Sequence, residues 1–506
     1  MNTKKMWQAL LLSVLSGVLL TVGFPIPEMY YVSWVALIPL FAALENKSSK
    51  QALALGYVCG LVHCVTTFYW VRHVLYYYGG LSGVVAVLVL LLMCGYLAVY
   101  PAVFALVARK WEKDPLLWAL GVPGLWVTLE WIRAHAVTGF PWASLGYSQT
   151  PLNTLIQIAD ITGVYGVSWL VVFGNTALMA CLRRSRGWAA VLAVLVACIG
   201  GVTLYGTLRI GTIKQLEAQA APWTVAVLQG NIDQSLKWDK TFQQETLQRY
   251  KDLARAAVEH VPRPNLLVWP ETAIPFFYGV DEGLTAQVDS MVREIGVPEL
   301  FGSPAVTFSD GKPRLQNRAY LVDEHAKILG SYAKQHLVPF GEYVPFQKLL
   351  FFVHRLVEAA GDFMPGRGQS PVVLDGHKIG ALICYEGIFP ELARMAVRQG
   401  ATCLINVTND AWYGRTGAPY QHMEMARWRS VEFRVPLIRA ANTGISTIVD
   451  ATGALCGTIP LGEKGQLTCT VRPLRTATLY ERWGDFLAWI CILTTLGGVL
   501  YSARKQ

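Results

Sequence analysis

The sequence predicts a multi-span α-helical membrane domain of eight helices joined to an exported α/β domain. Three observations carry this prediction. The 506 residues are 53% hydrophobic but only 15% charged, whereas soluble chains average about 25% charged residues. The charge deficit is concentrated in residues 6–209, while 222–480 have the composition of an ordinary globular domain. Basic residues within the apolar part cluster in every second gap between hydrophobic runs, the asymmetry that orients membrane spans.

A membrane-crossing helix needs about 20 mainly apolar residues. Eight runs qualify, at roughly 6–23, 29–45, 52–72, 80–107, 115–133, 164–182, 187–209 and 485–503. Lys4 and Lys5 precede the first; Lys47 and Lys50 follow the second. Arg109, Lys110 and Lys113 follow the fourth, Arg183, Arg184 and Arg186 the sixth, and Arg504 and Lys505 the eighth. The other short gaps hold chiefly Arg72 and Arg133. This alternation puts both termini in the cytoplasm and the long segment between spans seven and eight outside. Thr21 to Pro25 offers no small-residue cleavage site, so the first span reads as an uncleaved anchor. The expected organisation is spans one to seven in 1–209, a linker at 210–221, the exported catalytic domain at 222–475, and a return segment with span eight at 476–506.

The net charge of +9 comes without a basic patch interleaved with aromatics, which argues against nucleic acid. The ten cysteines show no CxxC pair and no zinc spacing, so no metal site is expected. Cys403, Cys456 and Cys469 share the exported side; their spacing leaves open whether any of them bridge. Among ionisable residues in or near the spans, His63, Glu130 and Arg133 stand out, since such groups are functional candidates; an ion pair near the outer end is the plainer reading of Glu130 and Arg133.

In the exported part, Trp223–Gln229, Asn265–Trp269, Ile379–Ile383 and Thr402–Val407 are short apolar runs, and Phe242–His260 has helical spacing. Buried strands alternating with helices define an α/β domain, and catalytic groups gather at the strand ends of such domains. Three strand ends or their neighbourhoods carry chemistry. Pro270-Glu271 follows the second run, Cys384-Tyr385-Glu386 the third, and Thr408-Asn409-Asp410 the fourth; Lys334 lies in Tyr332–Tyr343. A cysteine nucleophile needs a base, which a buried carboxylate supplies, and acyl transfer needs a cation or N–H groups where the oxyanion develops. Glu271, Lys334 and Cys384 supply base, cation and nucleophile. Taken singly, each is more often a capping carboxylate, a solvated lysine or a packed thiol. Asn409 and Asp410 read as turn formers.

Together these motifs resemble the nitrilase superfamily, which uses a Glu-Lys-Cys triad in an αββα sandwich. Trp269-Pro270-Glu271 is similar to its base motif, Tyr332–Glu342 to its lysine motif, and Cys384-Tyr385-Glu386 followed by Phe389-Pro390 to its nucleophile motif. With eight spans around it, the chain resembles the apolipoprotein N-acyltransferase family. Gly139-Phe140-Pro141-Trp142, Gly146-Tyr147-Ser148-Gln149, Gln229-Gly230-Asn231-Ile232 with Lys237-Trp238, the stretch from Asn406 to Gly414 and that from Arg439 to Gly444 also fit.

The resemblance implies a ping-pong reaction without cofactor. Glu271 activates Cys384; an acyl chain passes from a phospholipid, phosphatidylethanolamine being the expected donor, to a thioester on Cys384. The α-amine of a diacylglyceryl-cysteine apolipoprotein then accepts it. Lys334 would hold the oxyanion, with Glu342, Tyr385 and Glu386 in support. Trp238, Trp412, Tyr413 and the segment 346–364 are candidates for the acyl-chain lining or a lid. The expected location is a bacterial inner membrane with the catalytic domain in the periplasm. Two rivals are a membrane-tethered nitrilase-type amidohydrolase, which would need only one span, and a transporter with an exported binding domain. The transporter would carry symmetric broken spans, which the sequence lacks.

Overall fold

The computed structural model describes residues 3–505 except 26–28, 236, 238–239, 310, 344–362 and 369. It divides into two compact units: Met1–Tyr76, Leu81–Ile210 and Arg482–Gln506 form one, Tyr77–Gly80 and Gly211–Glu481 the other.

The first unit is helical. Six helices among the described residues are long and apolar enough to cross a membrane: Lys4–Val22, Ser49–Phe68, Gly83–Trp111, Val164–Leu182, Trp188–Gln219 and Phe486–Arg504. Two of the eight expected spans take another form. The run at 29–45 is a 3₁₀ turn, Tyr30–Trp34, and a short helix, Ile38–Ala43, with Pro39 in its first turn. A proline there starts a helix but cannot continue one. At 1.5 Å per residue, the 14 apolar residues Tyr30–Ala43 reach about 21 Å, so they do not form a spanning helix of the roughly 30 Å hydrocarbon core by themselves and any crossing here includes the flanking chain. The run at 115–133 is a π-helical turn, Leu117–Gly121, leading into Val122–His135. Side chains satisfy the irregular backbone of the first: Asn175 accepts from Leu37 N–H at 2.8 Å and donates to Ser33 O at 2.9 Å, and Gln149 donates to Tyr30 O at 3.0 Å. Such compensation is required where water is absent.

The expected linker at 210–221 is instead mostly helix, because Trp188–Gln219 is continuous for 32 residues. Arg209, Lys214 and Glu217 mark a change to polar surroundings, not a helix end. In the second unit Lys214 pairs with Asp450, and Glu217 accepts from Ala451 N–H at 3.1 Å.

The second unit holds two six-stranded sheets. The strands are β1 (Trp223–Gln229), β2 (Leu266–Val268), β3 (Glu299–Ser309), β4 (Lys312–Val322), β5 (Ile328–Ala333), β6 (Val372–Leu374), β7 (His377–Ile383), β8 (Cys403–Thr408), β9 (Leu437–Ala441), β10 (Ser446–Val449), β11 (Leu455–Ile459) and β12 (Gly465–Val471). Their orders are β12-β1-β2-β3-β4-β5 and β11-β10-β9-β8-β7-β6. Alternation along each strand separates the two faces. Val225 and Val227 join Val268, Ile383, Ile405 and Ile438 in one buried cluster shared by both sheets. Ala226 and Leu228 face the opposite way, against Tyr250 and Leu253 of helix Lys240–Val258 and Val288 and Met291 of helix Glu282–Ile295. A disulfide between Cys456 on β11 and Cys469 on β12 joins the two sheets, while Cys403 is free. β1-β2-β3 and β7-β8-β9 are parallel, so the ends of β2, β7 and β8 deliver the loops that build the site.

Candidate active site

Cys384 begins a 3₁₀ turn, Cys384–Ile388, directly after β7. Its φ is +53°, in the left-handed region that side chains with a Cβ adopt only at a cost. A buried network holds this bend from behind. His422 Nε2 lies 3.2 Å from Cys384 O, and Asn406 Nδ2 donates to the same oxygen at 3.2 Å. His422 Nδ1 is 2.9 Å from Asp410 Oδ1, while Arg439 donates to Asp410 Oδ2 at 2.8 Å and also to Asn406 Oδ1. Burial works against charge on Asp410, but Arg439 and then His422 outweigh it and bring its carboxyl to about 2. Gly444 sits where any Cβ would collide with the Asp410 side chain.

Glu271 follows β2. One carboxylate oxygen accepts from Asn317 Nδ2 at 2.7 Å, the other from Asn409 N–H at 2.8 Å. β3 passes so close that a Cβ on Gly302 would stand 2.7 Å from Glu271 Cα; only glycine leaves room. Lys334 follows β5 and is 2% exposed. Its Nζ is 2.9 Å from Glu342 Oε1 and 3.6 Å from Glu271 Oε1. Burial disfavours its charge, yet Glu342 and Glu271 together hold the ammonium well above its ordinary range. The Cys384 thiol feels both partners: burial, then Glu271, push it well above its usual value, while Lys334 opposes them. Glu271, Lys334 and Cys384 thus lie within electrostatic reach of one another.

Of the supporting residues, Glu342 is the close counter-charge of Lys334 and also accepts from Val338 N–H at 2.8 Å. Glu386 is fully buried and ties the Lys334 loop to the Cys384 turn. It accepts from Tyr332 OH, Gln335 N–H, His336 N–H and Ile383 N–H at 2.6–3.0 Å. Burial raises its carboxyl to about 7 against those donors. Tyr385 is buried beside Phe389, with ring centroids 4.9 Å apart. Tyr413 is buried within electrostatic reach of Cys384. Trp412 packs edge-on against Tyr78, at 5.1 Å. Trp238 and residues 346–362 of the expected lid lie outside the described residues.

Several participants escaped the sequence reading. Asn409 and Asp410 are not mere turn formers, since one binds Glu271 and the other anchors the network behind Cys384. Lys237 is 2% exposed, and its Nζ donates to Glu271 O at 3.2 Å. Burial lowers its ammonium to about 8 despite Glu271 and Cys384. His422 gave no signal, standing alone in an otherwise ordinary helix, Ala418–Phe433. Lys237 and Arg439 did lie inside segments singled out by resemblance.

Two stacked sheets presenting a carboxylate, an ammonium and a thiol at strand ends suit the carbon-nitrogen hydrolase class, and residues 224–480 match the family model described as "Carbon-nitrogen hydrolase". Residues 16–177 match "Apolipoprotein N-acyltransferase N-terminal domain". The chain is 44% identical over 492 residues to the apolipoprotein N-acyltransferase of Geobacter metallireducens, covering 95% of this chain and 93% of that one. It is 35% identical over 509 residues to the apolipoprotein N-acyltransferase of Methylococcus capsulatus, covering 99% and 97%. An amidase from Nesterenkonia sp. of known structure is 22% identical with a TM-score of 0.39, over 52% of this chain and 95% of that one. The chain belongs to the apolipoprotein N-acyltransferase family.

Proposed function

We propose that this chain N-acylates apolipoproteins by a ping-pong reaction through a thioester on Cys384. The observation that carries the reading is the placement of Lys334 Nζ between two carboxylates, 2.9 Å from Glu342 and 3.6 Å from Glu271, with the Cys384 thiol coupled to Glu271 and Lys334. Glu271 takes the thiol proton, and the thiolate attacks the ester carbonyl of a membrane phospholipid, phosphatidylethanolamine in our reading. Lys334 neutralises the oxyanion. As the tetrahedral adduct collapses, Glu271 returns the proton to the departing lysophospholipid. The α-amine of a diacylglyceryl-cysteine then attacks the thioester and gives a proton to Glu271, which passes it to the departing thiolate, leaving an amide and a free thiol. Glu342 keeps Lys334 charged and aimed.

The chain crosses a bacterial inner membrane eight times, with both termini cytoplasmic and residues 222–475 in the periplasm. The alternation of basic gaps supports this, and so does the Cys456–Cys469 disulfide, since structural disulfides persist in oxidising compartments. An acyl donor leaves a bilayer only at about 0.8 kcal/mol per CH₂, so a catalytic domain flanked by spans suits a lipid substrate. An amidohydrolase of small amides needs no such arrangement.

The test is transfer of a labelled acyl chain from phosphatidylethanolamine vesicles to a diacylglyceryl-cysteine peptide by full-length enzyme. Transfer should vanish in Cys384→Ala. Undiminished transfer by that variant would refute the proposal.

A further inference from the structure

The helical unit contains a cavity whose lining residues take no part in the reaction proposed above. It is lined by Leu20, Phe24, Leu97 and Phe104 on its apolar side and by His63, Tyr100, Glu130 and Arg133 on its polar side. Arg133 is 9% exposed. Among the described residues its Nε has no partner, and its one side-chain hydrogen bond is a long one, 3.5 Å from Nη2 to Ser144 Oγ. Glu130, one turn earlier, lines the same cavity and acts electrostatically on Arg133 without pairing with it directly, and its Oε2 has no partner among the described residues. That carboxylate accepts from Leu145 N–H at 2.7 Å and from Trp126 Nε1–H at 2.8 Å, and no ion pair to Arg133 occurs among the described residues. An unpaired guanidinium in an apolar unit is strongly unfavourable unless something supplies the opposite charge. The expected outer-end ion pair of Glu130 and Arg133 is therefore not what the geometry provides.

A second donor faces the same space. His63 Nδ1 is engaged by the hydroxyls of Thr21 at 3.0 Å and Thr67 at 3.3 Å. When Nδ1 accepts from a hydroxyl, Nε2 carries the ring proton, and no acceptor for it occurs among the described residues. A guanidinium fork and an imidazole N–H converging on one cavity fit a tetrahedral oxyanion. The apolar wall fits the chains that such a group would carry.

We propose that this cavity binds the phosphodiester of a phospholipid headgroup, with Arg133 as its counter-charge and His63 Nε2 as a second donor. The inference rests on the membrane placement proposed above. Under that topology the carboxyl-terminal ends of Lys4–Val22, Ser49–Phe68 and Val122–His135 all face the outer leaflet, where the donor lipid lies.

Native mass spectrometry of the full chain in a Cys384→Ala background reads lipid retention without turnover. Arg133→Gln should weaken retention of phosphatidylethanolamine by roughly tenfold or more, the loss expected for a charged hydrogen-bonding partner. Arg133→Lys should restore part of it, and diacylglycerol, which lacks the phosphate, should bind all three proteins alike. Equal phosphatidylethanolamine retention by Arg133→Gln, or a matching loss of diacylglycerol, would overturn the assignment. Binding of inorganic phosphate as tightly as phospholipid would overturn the lipid as the source. Should Arg133→Gln not fold, a phosphatidylethanolamine bearing a headgroup diazirine, crosslinked to the unsubstituted chain, reads the same site. Adducts within 126–145 support the proposal, and adducts confined elsewhere contradict it. Loss of thioester chemistry with Arg133-dependent retention intact would refute only the catalytic proposal.

Discussion

Lys237 and Lys334 are two buried ammonium groups held in opposite electrostatic states. Lys334 has two carboxylates beside it and keeps its proton firmly. Lys237 has a backbone carbonyl as its hydrogen-bond partner, and burial brings it to about 8 from 10.5. The folded chain therefore binds fewer protons than the unfolded chain between about 8 and 10.5, so the Lys237 contribution to stability rises with pH across that window. Its effect on chemistry has the opposite sign, because loss of the ammonium removes a positive charge that favours thiolate at Cys384. Cys384 acylation by phospholipid should therefore fall as pH rises past about 8, and Lys237→Arg, which stays charged, should hold its rate to higher pH. Superimposable pH profiles would show that Lys237 does not act on the thiol. The sequence marked Glu271, Lys334 and Cys384 because each follows an apolar run or sits in a recognisable motif. It did not mark Asp410, His422 and Arg439 as a unit, because a buried polar network is made by side chains 12 to 29 positions apart whose burial no local pattern reports.

Strands β1, β2, β7 and β8 were legible as short continuous apolar runs, which is what burial on both faces produces. The β3–β4 hairpin was not, because Lys312–Val322 is exposed over its first three residues and its polar start hides the strand. The helix past residue 209 was misread for a related reason: charge marks departure from lipid, whereas helix termination needs a cap or a breaker. The disulfide could not be assigned from spacing, since Cys403, Cys456 and Cys469 permit several outcomes. Its bridge between the edge strands of two sheets closes 13 positions of chain, a loop worth about 3 kcal/mol by the chain-entropy argument. Reduction, or Cys456→Ser with Cys469→Ser, should lower the melting temperature of the full chain by several degrees and leave acyl transfer nearly unchanged, because no site residue sits on β11 or β12. An unchanged melting temperature would mean that the bridge adds no stability.

At the scale of the whole chain, composition alone separated a lipid-facing part from a globular part, and the contact pattern of the structure divides the chain near the same place, at Ile210. The number of crossings was harder to read, because hydropathy reports burial away from water and does not distinguish lipid from protein. Tyr30–Ala43 and Leu117–His135 are apolar partly because they pack inside the helical unit, where Leu37, Leu40, Phe41, Val122 and Val127 are almost fully buried. Joining such a unit to a domain with a buried Cys384 makes sense if the enzyme must hold an acyl chain between two substrates. The central claim is therefore the thioester. Intact-protein mass spectrometry of the full chain incubated with phosphatidylethanolamine, followed by peptide mapping, should find one acyl chain on Cys384 that disappears when a diacylglyceryl-cysteine peptide is added. An enzyme that acylates the peptide with no adduct ever detectable on Cys384, or with equal activity in Cys384→Ala, would contradict the account.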